Sequence, residues 1–351
     1  MLLLCLLCTS CLLYYLGFIL WASWHFGQIK RSAKPQSSPS LSIMIPARNE
    51  ADNIRECLLS ALRQDYQGPI EVILINDQST DDTGEIARSL QADYPHLRVY
   101  DLPSGERQGS KKSALSYGIH QAKGEIILQT DADCYLPETW ASEMSAHFGG
   151  EVQLVSGPVL LTHSRHWLQS LQCLESIGLV VLGAGSLAGG KPNMANGANL
   201  AFRRQAFHEV GGYQGIDSVA SGDDELLLQK FHAAYPGQLR FAKSDQAIVQ
   251  TPALDNWSAL KSQRLRWVSK ARAYQNRGVN FVQLLSYLGF WSFPLCLLYG
   301  FWQWWGPLVA LGLLLLKSII DLVLMRKAAA FFHKLPLLRW LGLPAIPIHN
   351  T

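Results

Sequence analysis

Between residue 41 and about residue 250, short apolar runs alternate with longer amphipathic stretches, and this order constrains the fold more than any other feature of the chain. Residues 41–46, 70–75, 97–102 and 126–128 read as strands with few polar positions, as expected of strands covered on both faces. Between them, residues 51–62 form a helical pattern with Ile54, Leu58 and Leu62 on one side, and residues 83–90 and 111–122 repeat it. A β-α-β order of this kind gives an α/β fold, a mostly parallel sheet with helices on both faces. Residues 152–159 read as a further strand. Residues 167–187 form a mostly apolar helical stretch interrupted by Gly178, Gly183 and Gly185, which suits either a core helix or one lying on a membrane surface.

The two ends have a different character. Apolar residues make up 48% of the 351 and charged residues only 16%, against about 25% charged in a soluble domain. Residues 2–26 carry no acidic or strongly basic side chain and are long enough to span a hydrocarbon core about 30 Å thick. They lack the basic start and small-residue cleavage site of a secretory signal. Lys30, Arg31 and Lys34 follow, and the bias of basic residues toward the inner side puts the middle of the chain in the cytoplasm, below an inner or plasma membrane. Residues 28–40 are a linker. Residues 281–305 and 306–325 are expected to pair as a membrane hairpin turning at Gly306 and Pro307, with Arg277 before it and Arg326 and Lys327 after it, leaving 328–351 as a tail. Lys317 and Asp321 are spaced to pair on one helix face. The economical reading has them snorkelling toward the inner interface, and an intramembrane functional pair is the alternative.

Cys5, Cys8 and Cys11 have the spacing of an iron–sulfur run but lie in an apolar segment, where they act as small apolar residues. The remaining cysteines and histidines are not spaced for zinc, and His163 and His166 fit a solvated turn. A net charge of +3 gives no footprint for nucleic acid.

Chemistry concentrates at strand ends. Asp131 and Asp133, one residue apart, follow the 126–128 run, at the edge where ligands bind in open α/β sheets. Two hard oxygen donors there suit a divalent cation carrying phosphates, although aspartates are also ordinary turn residues. Four other groups could serve the same place. Pro46, Ala47, Arg48, Asn49 and Glu50 follow the first strand, where backbone N–H groups at a helix start can receive a nucleotide. Asp77 ends the second strand, ahead of a Ser/Thr/Asp stretch that also reads as plain helix capping. Asp223 and Asp224, entered through Ser221 and Gly222, open a helix and can offer a general base or simply complement the helix dipole. Gln263, Arg266 and Trp267 share one face of a basic helix over residues 257–274, fitting a sugar diphosphate; Lys261, Arg264, Lys270 and Arg272 could instead meet anionic lipid.

In this order, these motifs resemble the inverting family 2 glycosyltransferases of the GT-A fold, a Rossmann-like catalytic domain here flanked by membrane helices. The resemblance spans about residues 41–275 and includes Asn196-Gly-Ala-Asn199 through Arg203, then Val210-Gly-Gly-Tyr213. Asn76 stands where the family often has Asp, and Asp223 where many members have Glu. The Gln263-x-x-Arg-Trp267 motif is similar to that of cellulose, chitin and hyaluronan synthases and of ceramide glucosyltransferases.

The resemblance implies a role for each group. Asp77 would read a uracil beside the 46–50 turn, and Lys111 would stand near the nucleotide. Asp131 would reach the ribose or the metal shell, and Asp133 would ligate Mg²⁺ or Mn²⁺ across the diphosphate. Gln263 and Arg266 would hold the donor, with Trp267 and Asn199 on the acceptor side. Asp224, rather than Asp223, would take the acceptor proton. The implied activity is sugar transfer from a nucleotide sugar, a UDP-sugar first of all, to a lipid-linked or saccharide acceptor with inversion. A processive synthase is the alternative, and its channel would call for a second copy or a membrane partner, since so few helices wall no water-filled path. A non-catalytic scaffold or sugar-binding module is the third reading.

Overall fold

The computed structural model describes residues 1–30, 38–103, 109–162, 166–217, 222–269 and 277–341. Most of the expected linker, with Arg31, Lys34 and Pro35, lies outside the described residues, as do His163, Ser221, Lys270 and Arg272. The strands are β1 (Leu41–Ala47), β2 (Ile70–Asn76), β3 (Leu97–Asp101), β4 (Ile126–Gln129), β5 (Leu154–Ser156), β6 (Val159–Thr162), β7 (Leu200–Arg203), β8 (Leu239–Phe241) and β9 (Val249–Pro252). The helices that precede or separate them are α1 (Leu2–Gln28), α2 (Ile54–Leu62), α3 (Thr83–Ser89), α4 (Lys111–Gln121), α5 (Trp140–Ser145), α6 (Trp167–Ala188), α7 (Arg204–Glu209) and α8 (Glu225–Ala234). After β9 come α9 (Trp257–Ser269), α10 (Arg277–Phe290), α11 (Ser292–Tyr299), α12 (Gly306–Phe331) and α13 (Leu335–Leu341).

Seven strands form one sheet in the order β3-β2-β1-β4-β7-β5-β8. The β3-β2-β1-β4 half is parallel throughout, as the β-α-β order requires. β7 then runs antiparallel to both β4 and β5, and β6 pairs with β9 in a small second sheet. Alternate residues face opposite sides. Ile43, Ile45, Val72, Leu74 and Leu128 pack with Leu58, Ala87 and Trp140 under α2, α3 and α5. Met44, Ile73, Ile75, Ile127 and Phe202 pack with Leu115, Val181 and Phe231 under α4, α6 and α8. Phe202 is fully buried, with the rings of Phe207 and Phe231 centred 5.3 and 5.9 Å away. Its truncation to Ala should cost about 3–5 kcal/mol.

The second face has no outer solvated layer where α6 covers it. The same apolar cluster continues through Leu16 and Ala22 of α1 and Leu324 and Ala328 of α12. Of the two readings left open for α6, the structure gives the core helix: 16 of its residues, including Cys173, Ile177 and Val181, are buried. Gly185 shows how closely it meets α1, since a Cβ there would lie 1.9 Å from the carbonyl oxygen of Ala22. Three helices, α1, α6 and α12, are long and apolar enough to cross a membrane. α1 and α12, at about 40 Å each, turn leucines such as Leu3, Leu13, Leu311 and Leu315 outward.

Three expectations need correction. The 152–159 run is two strands in two sheets, because Pro158 has no N–H and Gly157 gives its own to the Asn199 carbonyl 2.8 Å away. The first hairpin arm is not one helix over residues 281–305. It breaks at Trp291 into α10 and α11, of 14 and 8 residues. Pro294 cannot donate to the preceding turn, and the Ser292 hydroxyl donates to the Gly289 carbonyl at 2.6 Å. The chain then turns over residues 300–305, and Pro307 starts α12. Finally, Lys317 and Asp321 do not snorkel. They pair with each other midway along α12, 2% and 4% exposed, with the Lys317 ammonium 5.6 Å from the Phe290 ring centre.

Candidate active site

The parallel half ends its strands together: Ala47 of β1 is level with Asn76 of β2, and Gln129 of β4 pairs with Met44. The segments that follow Ala47, Asn76 and Gln129 therefore meet at one edge. Pro46 and Ala47 close β1, and Arg48, Asn49 and Glu50 turn away from it, with Asn49 at a φ of 54°. The N–H groups of this turn are not offered to a ligand, which corrects the expectation. Asn49 N–H donates to the Ser79 hydroxyl at 3.1 Å, Glu50 N–H to Thr83 Oγ1 at 2.8 Å, and Ala51 N–H to Asp81 Oδ2 at 3.1 Å. The Asn49 carboxamide oxygen accepts in return from Thr80 N–H at 2.8 Å. The capping reading of residues 79–82 holds only for Asp81, whose Oδ1 accepts from Thr83 N–H at 3.1 Å, while Asp82 makes no side-chain cap; Thr83 hydrogen bonds and flanking backbone N–H groups hold the exposed Asp81 carboxyl below its ordinary value.

Asp77 lies behind this turn and is 4% exposed. Its Oδ1 accepts from Gly109 N–H at 3.3 Å, and its Oδ2 is 3.7 Å from the Arg48 guanidinium. A carboxylate has about four acceptor positions, so two neighbours leave capacity for a base N–H.

Asp131 and Asp133 follow β4. The Thr251 hydroxyl on β9 donates to Asp133 Oδ2 at 3.2 Å and orients it. The Lys111 ammonium, at the start of α4, lies 2.5 Å from Asp131 Oδ1 and 3.0 Å from Asp223 Oδ2. Burial pushes Asp131 up and outweighs the opposing pull of Lys111. At Asp223 burial also pushes upward, but Lys111 prevails and holds the carboxyl below its ordinary value. Burial raises Glu50 as well, with Asp133 and Asp131 close enough to add to it.

Asp224 is held differently. It caps α8, its Oδ1 accepting from Glu225 N–H at 2.7 Å and its Oδ2 from Gly197 N–H at 3.0 Å. Gln129, wholly buried at the end of β4, connects the parts: its amide donates to the Gly197 carbonyl at 3.1 Å and toward Asp223 Oδ2 at 3.4 Å, and Tyr213 O–H donates to its Oε1 at 3.3 Å. Sequence reasoning gave no role to Gln129, Gly197, Tyr213 or Thr251. A glutamine closing an apolar strand is a readable signal, because a buried amide needs partners. Nothing in the sequence marks Thr251.

Asn199 is corrected. Fully buried, its carboxamide accepts from the Trp140 indole at 2.9 Å and donates to the Pro158 and Ala247 carbonyls, both at 2.8 Å. It braces β7 against the second sheet and has nothing left for an acceptor. On α9, Gln263 is half-buried, and Arg266 and Trp267 are exposed. This helix is positioned by α6: Gln172 clamps the backbone of Leu254 through bonds of 2.9 and 3.2 Å, and Arg264 pairs with Glu175 while lying 4.6 Å over the Trp267 ring.

The donor set at the strand tip fits a hard divalent cation. Asp131 and Asp133 offer carboxylate oxygens, whereas burial pushes the neighbouring Cys57 and Cys134 thiols far up and keeps them protonated. Among the described residues no three His, Cys, Asp or Glu side chains enclose an ion. Such a site suits Mg²⁺ or Mn²⁺, which complete their shells with phosphate and water.

A half-parallel sheet with acidic side chains at its strand ends defines an α/β protein of the GT-A type. The mannosyltransferase PcManGT of Pyrobaculum calidifontis, solved with GDP-Man and Mn²⁺, shares this fold over 99% of this chain and 98% of its own, with a TM-score of 0.60 at 20% identity. Residues 42–211 match the family model described as Glycosyl transferase family 2. Glycosyltransferase AglE of Haloferax volcanii is 32% identical over 207 residues, 56% of this chain and 63% of that protein. Poly-beta-1,6-N-acetyl-D-glucosamine synthase of Staphylococcus epidermidis is 26% identical over 236 residues, 66% of this chain and 54% of its own length. The chain thus spans between half and two thirds of the length of these relatives.

Proposed function

We propose that this protein is a membrane glycosyltransferase that moves a sugar from a nucleoside diphosphate sugar to a lipid-linked or saccharide acceptor, with inversion at the anomeric carbon. The observation that carries the reading is the meeting of two acidic pairs, Asp131/Asp133 from β4 and Asp223/Asp224 from α8, within the reach of one lysine. The first pair faces the donor and the second supplies the base.

In this reading Asp77 accepts the imide N–H of a uracil, the Arg48–Glu50 turn borders the base, and Lys111 and Arg266 meet the diphosphate, with Gln263 beside them. Asp133, with Asp131, holds Mg²⁺ or Mn²⁺, which when bound draws off charge from the departing diphosphate. Asp224 takes the proton of the acceptor hydroxyl as it attacks opposite the leaving group. The bonds from Glu225 N–H and Gly197 N–H fix its direction. Asp223 is held below its ordinary value by Lys111, which weakens it as a base. Trp267 borders the acceptor. In this reading the domain lies against a membrane, which three long apolar helices support, and on the cytoplasmic side by the rule of basic flanks.

A panel of UDP- and GDP-sugars, assayed in detergent for metal-dependent release and transfer, tests the reading. Release from at least one donor is expected, and none from any donor with Mg²⁺ or Mn²⁺ present overturns it. Sizing the product separates single addition from the processive alternative, which predicts a ladder of long polymer.

A further inference from the structure

We propose that Lys111 is a coupling residue. Its ammonium competes with a divalent cation for Asp131, and on release it passes to the donor's diphosphate, so that loading of the donor is felt at the catalytic pair. The inference rests on the reading of Asp131 and Asp133 as the metal end of the donor site, and goes beyond it in giving Lys111 two alternative partners.

The position of Lys111 is not explained by its own helix. It is the first residue of α4, where the N–H ends of the helix disfavour a cation. What holds it there is its contacts: Asp131 Oδ1 at 2.5 Å and Asp223 Oδ2 at 3.0 Å. The two sides of this bridge differ in rigidity. The Asp223 side chain is 13% exposed and is flanked by the Gln129 amide, which Tyr213 and Gly197 fix in turn. Gly197 closes this side so tightly that a Cβ there would lie 2.8 Å from Asp223 Oδ2, 3.0 Å from Gln129 Nε2 and 3.0 Å from Lys111 Nζ. The Asp131 side chain is 35% exposed, and its Oδ1, itself buried, meets the ammonium without the geometry of a hydrogen bond. The bridge therefore opens at Asp131.

Opening is required by charge. A divalent ion binds a carboxylate oxygen at about 2.1 Å. An ammonium left on the same oxygen would sit within about 4 Å of it, and two cations that close repel strongly in a partly buried site. The diphosphate arriving with the metal is the nearest new anion, and the flexible lysine stem allows the move.

The test uses the full chain in detergent and reads binding. Mn²⁺ affinity is measured by electron paramagnetic resonance without nucleotide, for the wild type, Lys111→Met, Lys111→Arg and Asp133→Ala, with melting temperatures to establish folding. Lys111→Met should bind Mn²⁺ about tenfold more tightly, since a competing charge is removed, while Lys111→Arg stays near the wild type. In the presence of Mn²⁺, the same Met variant should bind UDP or GDP more weakly and raise the donor KM. This opposite movement of two affinities is one that a merely structural lysine would not produce. Unchanged or weakened Mn²⁺ binding in a folded Lys111→Met, with wild-type binding intact and lost in Asp133→Ala, overturns the proposal alone. A wild type that binds no Mn²⁺, or an Asp133→Ala that binds it equally well, overturns the metal site and this inference with it.

Discussion

The two halves of the main sheet are built differently. In β3-β2-β1-β4 every strand is parallel and four to seven residues long, and each segment leaving an inner strand, β1, β2 or β4, contributes a side chain to the same edge of the sheet. In β7-β5-β8 the strands are three or four residues long and mixed in direction, and the functional groups come from the segments beside them, Gly197 before β7 and Asp223 and Asp224 before α8. The first half is a rigid floor suited to binding. The second is a set of short braces that brings a second acidic pair to that floor, with Gln129 at the seam.

That division can be broken by experiment. The largest effect expected is that of Asp133→Ala on the floor side: loss of Mn²⁺ binding, of nucleotide binding that depends on it, and of about 10³-fold or more in turnover, as several kcal/mol of charge stabilisation disappear. Asp224→Asn, on the brace side, should lower kcat by about 10²- to 10⁴-fold while nucleotide affinity stays near that of the wild type. If titration calorimetry shows Asp224→Asn losing nucleotide as completely as Asp133→Ala, the halves do not divide binding from reaction.

Two smaller effects separate the faces of the sheet. Gly185→Leu would force α6 off α1 and should lower stability in detergent by about 3 kcal/mol, read as a drop in melting temperature, with the α2/α3/α5 face intact. His147, next to α5, gives the solvated side its own signature. Burial, then the nearby charge of Arg240, lowers its pKa to about 4 from 6.5. The unfolded chain therefore takes up a proton first, so stability is complete above about pH 6.5 and falls as the pH drops toward 4. The loss is about 3 kcal/mol over that window. His147→Leu should flatten this stretch of the melting temperature–pH curve; a curve of unchanged slope would show that the imidazole is protonated in the fold.

The floor was legible in the sequence because each of its strands is an apolar run followed by a chemically distinctive turn: Arg48–Glu50, Asp77, Asp131/Asp133. The braces were not. A four-residue strand such as β7 has too few residues for a period to show, and its place is set by antiparallel partners distant in sequence. Asn199 was misjudged for a related reason. A motif shows that an asparagine is needed, but only the fold shows that its amide is consumed by Trp140, Pro158 and Ala247. The hydroxyl of Ser292 and the ring of Pro294 broke a helix whose hydropathy alone looked continuous.

The apolar cluster shared by the sheet, α6, α1 and α12 has a consequence for how the chain folds. α1 packs against α6 and α12, and the whole of the main sheet lies between α1 and α12 in sequence. α4, α6 and α8 can cover their face of the sheet before α12 joins, but the outer cluster of α1 and α6 is incomplete without it. Closure of that outer cluster therefore joins segments far apart in sequence, and should be slower than formation of the local β-α-β units beneath it.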